Sequence, residues 1–117
     1  MSAGNWFETR RAAHNLRERE VTTAYTVRTG GSTYNFVVDR VITIPTATSA
    51  FTVTVPDGEF RGQRLLVVVT KTGTMANTVH VTTGTDNYHL RYARDYVSLE
   101  WIGSGDKGWI YLNKSAT

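Results

Sequence analysis

A chain of 117 residues, 40% of them hydrophobic, is long enough to bury a core as one domain without a metal or disulfide staple. It has no cysteine, which excludes disulfides and thiol chemistry, and no apolar run near the roughly 20 residues that span a bilayer as a helix. The 13 Lys and Arg outnumber the 10 Asp and Glu to give a net charge of +3. These charges are spread from Arg10 to Lys114 rather than clustered, which argues against a nucleic-acid surface.

Residues 1–20 differ from the rest. Arg10, Arg11, Arg17 and Arg19 are interspersed with Glu8, Glu18 and Glu20, and β-branched residues are scarce. Asn5 followed by Glu8 outlines a capping box, and Ala12, Ala13 and Leu16 with Trp6 or Phe7 form a thin apolar stripe. This segment is expected to be a short helix or an extended arm. Trp6 and Phe7 need a surface to cover them, since exposed aromatic clusters mark contacts. The first residues also lack the basic-then-apolar layout of a signal peptide, so the protein is expected to be cytoplasmic when made.

From Val21 onward the sequence is that of strands. Val21 to Arg28 is β-branched and aromatic, and Thr29-Gly30-Gly31-Ser32 turns. Tyr34 to Val38 and Val41 to Ile44 follow as two strands separated by Asp39-Arg40, with Pro45 ending the second. Phe51-Thr52-Val53-Thr54-Val55 alternates cleanly, its Phe and Val facing the core and its Thr facing out. Pro56-Asp57-Gly58 turns, and Arg64 to Thr70 is apolar on both faces, as a central strand is. Thr78 to Thr82 alternates again, Gly84 to Asn87 turns, and Tyr88 to Asp95 alternates more weakly. Tyr96 to Ile102 and Trp109 to Leu112 form a hairpin across Gly103 to Gly108.

Short strands with turn signals every eight to fifteen residues or so predict an all-β fold: a β-sandwich, jelly-roll-like, or a small β-barrel of short antiparallel strands. The expected division is an arm or short helix over residues 1–20 and a β-sandwich domain over residues 21–117. No internal repeat is visible.

The chemistry-bearing residues are sparse. Asp57 and Glu59 are close enough in sequence to suggest a glycosidase pair, but Asp57 belongs to a Pro-Asp-Gly turn, where its side chain favours local hydrogen bonds. Gly103-Ser104-Gly105 lies between strands, not in the strand–turn–helix setting of a nucleophile elbow. His14, His80 and His89 have no ligand neighbours at short helical spacing. His80 reads as a surface or subunit-contact residue, although it meets His89 and Asp86 if their strands pair. No catalytic residue, metal or cofactor is therefore expected. Tyr88, Arg91, Tyr92 and Arg94 share a segment of the kind enriched at contact hot spots, and make a candidate receptor or subunit surface.

Several stretches together carry a resemblance. They are Val41-Ile42-Thr43-Ile44-Pro45, Phe51 to Gly58, Gly62 to Val69, Val79-His80-Val81-Thr82-Thr83-Gly84, and Leu99 to Gly103 continuing to Trp109-Ile110-Tyr111-Leu112. This order resembles the β-domains of small bacteriophage virion proteins, namely capsid decoration (cement) proteins and head or tail fibres, over residues 41–112. The resemblance implies a non-enzymatic homotrimer on the virion that binds the major capsid protein and stabilises the outer capsid surface. No nucleic-acid or membrane partner is implied. Trp6, Phe7, Arg10 and Arg11 are then the expected capsid or subunit contacts. The alternative is a receptor- or glycan-binding module of a phage tail or head fibre, which uses Tyr88, Arg91, Tyr92 and Arg94.

Overall fold

The structure, a computed structural model, describes residues 16–30, 37–103 and 108–115. Among these residues the fold is all β, with nine strands: β1 Leu16–Glu20, β2 Tyr25–Thr26, β3 Val38–Ile44, β4 Phe51–Thr54, β5 Arg64–Val69, β6 Val79–Thr82, β7 Asn87–Leu90, β8 Tyr96–Trp101 and β9 Trp109–Lys114. They form a five-stranded sheet in the order β1-β3-β5-β8-β9 and a four-stranded sheet in the order β2-β4-β6-β7.

The expectation of antiparallel strands is corrected by this order. From β1 to β6 the chain changes sheet at every turn, so each return to a sheet runs in the same direction as the last pass. β1, β3 and β5 are consequently parallel, as are β2, β4 and β6. Parallel neighbours need a crossover connection. Here the crossover out of one sheet is itself a strand of the other, which winds the chain as a short two-sheet solenoid. Only β7, β8 and β9 pair antiparallel, closing the winding with two hairpins and a return strand.

Inward residues from both sheets form one core. Ile42, Ile44, Leu65, Val67, Val69, Val97 and Leu99 of the larger sheet meet Val53, Val79, Val81 and Leu90 of the smaller, all at most 2% exposed. β5 lies in the middle of its sheet, which accounts for a run apolar on both faces: Leu65, Val67 and Val69 point in, and Leu66 and Val68 stay half-buried outside. The Pro56–Gly62 loop closes one end over Trp101 and Trp109. Their rings stand edge to face at 5.6 Å, and Trp109 Nε1 donates to the Pro56 carbonyl at 2.8 Å.

Three sequence expectations change. Leu16–Glu20 is an edge strand, so only residues 1–15 remain for an arm or helix, and they lie outside the described residues. The expected strand over residues 21–28 shrinks to Tyr25–Thr26, because the chain passes there from one sheet to the other. Finally, Asp39-Arg40 does not separate two strands. β3 runs continuously through it with a bulge opposite Arg17 and Glu18, so that Arg40 and Val41 both face out while Asp39 and Ile42 turn in.

That bulge buries a carboxylate. Asp39 is 1% exposed, and its oxygens accept hydrogen bonds from Arg17 Nε, from the Tyr25 hydroxyl at 2.6 Å and from the Arg28 amide at 2.8 Å. Arg17 also donates to the Tyr25 hydroxyl at 2.7 Å, so the three side chains form a ring across β1, β2 and β3. Burial, then the hydrogen bond and charge of Asp39, raise the Tyr25 phenol above its ordinary value of 10.0. A raised phenol holds its proton longer in the folded than in the unfolded chain. Its contribution is therefore complete below about pH 10 and is lost as pH climbs through the folded value. Tyr88 is raised in the same sense, by burial first. Tyr25→Phe is expected to cost about 1–2 kcal/mol at neutral pH, yet to lose stability less steeply above pH 10 than the parent. Urea midpoints measured on both sides of that pH check this, and parallel pH curves for the two proteins would refute it.

Candidate functional site: the outer face of the larger sheet

Strand register sets the composition of this face. Glu18, Val41, Leu66 and Ser98 line up in one row, and Glu20, Thr43, Val68 and Tyr96 in the next. Val41, Leu66 and Ser98 floor an open trough of about 590 Å³ whose walls carry Arg17, Arg40, Arg64 and Glu18. Arg64 is paired with Glu100 at 2.9 Å, and Arg17 is held by Asp39. Among the described residues, Arg40 makes no ion pair. The trough thus has a largely apolar floor and a rim of mixed charge, on which Glu18 stands with the three arginines.

The face ends at β9, an edge strand. Ile110, opposite Glu100, projects on the outer side at 38% exposure, and Leu112, the extra residue of a bulge between Tyr111 and Asn113, is 43% exposed. Tyr111 points the other way, paired with Leu99, and is 52% exposed where it covers the gap between the sheets. It stands edge to face with Tyr88 at 6.2 Å, and the Lys114 ammonium lies over its ring at 4.9 Å.

The residues singled out in the sequence fall elsewhere. Trp6, Phe7, Arg10 and Arg11 lie outside the described residues. Tyr88 is turned inward against Tyr111 and buried, so it does not share a surface with the other three of its group. Arg91 donates from Nε to the Met75 carbonyl at 3.2 Å, tying its segment to the loop after β5. Tyr92 is 48% exposed, and Arg94 adopts a left-handed backbone with φ of 64°. That turn is held by Asp95, whose carboxylate accepts from the amides of Arg91 and Tyr92 at 2.9 and 2.8 Å.

His80 and His89 do meet, directly opposite each other on β6 and β7, on the outer face of the smaller sheet. That places them on the opposite side of the molecule from the trough. No group of three or more His, Cys, Asp or Glu suited to a metal occurs among the described residues, and Asp86 does not join the pair. Sequence reasoning missed the trough because its floor is brought together by pairing between strands distant in sequence, not by any local motif. The signal present was the apolar outer face of Arg64–Val69. Comparison of the chain with protein-family models and with characterised proteins yields no match.

Proposed function

We propose that this chain is a non-enzymatic structural component of a phage particle. It associates with itself, as a homotrimer, and binds the outer capsid surface as a decoration or cement protein. The supporting observation is the apolar stretch of edge strand β9, which pairs only with β8 among the described residues. An edge that carries exposed apolar side chains is a template for another chain. Here three successive large side chains, Ile110, Tyr111 and Leu112, stand exposed on it. The edge adjoins the apolar floor of Val41 and Leu66 across Ser98 and Glu100. A face of this kind is completed by another protein, and binding at several capsid subunits at once lets avidity compensate for modest contacts.

Gold-labelled antibody on purified source particles, imaged by electron microscopy, tests the reading. Label spread over the head is expected, with occupancy of added protein falling at least about tenfold for the double variant Ile110→Glu, Leu112→Glu. Label confined to the tail, or full occupancy by the variant, would sink it. Tail label would instead favour a receptor- or glycan-binding module. The rigid turn that presents Tyr92 and Arg94 is the observation that supports this second reading.

A further inference from the structure

The parallel winding of the smaller sheet ends at the β6–β7 hairpin, and the two histidines sit on it. His80 and His89 are register partners with ring centroids 4.6 Å apart and planes at 76°. His80 is half-buried and His89 exposed, so the pair is open to solvent. Among the described residues neither ring takes part in a hydrogen bond, which leaves their nitrogens available as ligands. Their neighbours are neutral. Thr52 pairs with His80 on the β4 side, and the adjoining row is Thr54, Thr82 and Asn87. Arg91, two residues beyond His89, spends its guanidinium on the carbonyls of Met75 and Ala76.

From this geometry we infer a bidentate site for a divalent transition-metal ion that accepts ligands at right angles, Cu²⁺ or Ni²⁺, with water filling the remaining positions. A ligating nitrogen stands ~2 Å from the ion, and the ring centre about 1.2 Å beyond it. Two imidazoles at cis positions of a square-planar or octahedral ion therefore have centroids roughly 4.5 Å apart, and two on a tetrahedral ion roughly 5.2 Å. The observed separation matches the first. Imidazole nitrogen suits both copper and nickel, and the surrounding hydroxyl and amide groups can hold the coordinated waters. The bound ion would clamp β6 to β7 and so stabilise the hairpin that ends the parallel winding. An ion that binds only the folded chain raises the melting temperature by mass action.

The test uses the whole chain and the chloride salts of Cu²⁺, Ni²⁺ and Zn²⁺. The parent and His14→Thr are expected to bind one Cu²⁺ or Ni²⁺ per chain at this site. Electron paramagnetic resonance of the copper form should show two imidazole nitrogens, and metal should raise the melting temperature. His80→Thr and His89→Thr, which put a strand-forming residue at each position, are each expected to weaken Ni²⁺ binding at least about tenfold and to abolish the thermal shift while keeping the parent's metal-free melting temperature. If His89→Thr keeps that metal-free stability and still binds within twofold of the parent, the site is refuted. Zn²⁺ binding more tightly than Ni²⁺ would overturn the right-angle geometry.

Discussion

Replacing Asp39 by alanine is expected to lower the free energy of unfolding by about 3 kcal/mol, because it removes a buried carboxylate that accepts several hydrogen bonds, while the partner Arg17 remains 30% exposed. The carboxylate side chain is fully buried, and it is the shared acceptor for Arg17, Tyr25 and the Arg28 amide. Its loss strands the Tyr25 hydroxyl and a backbone donor, and leaves the Arg17 guanidinium only the Tyr25 oxygen. It also uncouples the first winding, because those partners come from β1, β2 and the segment just after β2. A natural domain has roughly 5–15 kcal/mol in total, so the variant should melt far below the parent or fail to fold at the growth temperature. Asp39→Asn keeps the shape and one acceptor and should fall between the two. Urea denaturation of all three decides it. A loss under about 1 kcal/mol for the alanine variant would mean that the ring is incidental to the fold.

The second large effect is expected at Gly58. A Cβ built there would lie 2.4 Å from Cγ of Trp101 and 2.7 Å from its Cβ and Cδ2. The indole cannot step aside cheaply. Trp101 is 6% exposed and packs edge to face on Trp109, which is itself anchored to the Pro56 carbonyl. Gly58→Ala must therefore lift the Pro56–Gly62 loop, at a cost of about 2–3 kcal/mol. The loop also carries the Glu59 amide that donates to the buried Gln63 side chain at 2.6 Å, and Gln63 in turn donates to the Thr29 carbonyl at 3.1 Å. The disturbance should accordingly reach the chain between β2 and β3. Gly73→Ala is the control: it meets nothing within 4 Å, and its backbone needs no left-handed conformation. A shift in tryptophan emission and a lower urea midpoint for Gly58→Ala, with Gly73→Ala unchanged, is the expected result. Equal stabilities would show that the loop is not packed as described.

Local sequence was enough for most strands and for their inward faces. Val53, Val67, Val81, Val97 and Leu99 are buried as strict alternation requires, because period-two geometry acts within a few residues of each position. The Gly84 turn was legible for the same reason, as were the central character of Arg64–Val69 and the terminal hairpin, whereas the turn expected at Pro56-Asp57-Gly58 falls later, at Arg61-Gly62. Which strands pair, and in which direction, was decided only in three dimensions. Partners stand 22 or 23 residues apart between β1 and β3, 25 between β3 and β5, and 28 in the smaller sheet. Loops of unequal length thus hide the winding. A trace survives in Tyr25-Thr26-Val27, Val53-Thr54-Val55 and Val81-Thr82-Thr83, whose middle threonines stack in register. The His80–His89 pair comes from the adjacent strands of the β6–β7 hairpin, but the Asp39 ring and the arginine-rimmed trough depend on that register. The ring and the trough each join residues from separate passes of the chain, and an isolated segment has no energetic preference for a partner it meets only after the sheets have formed.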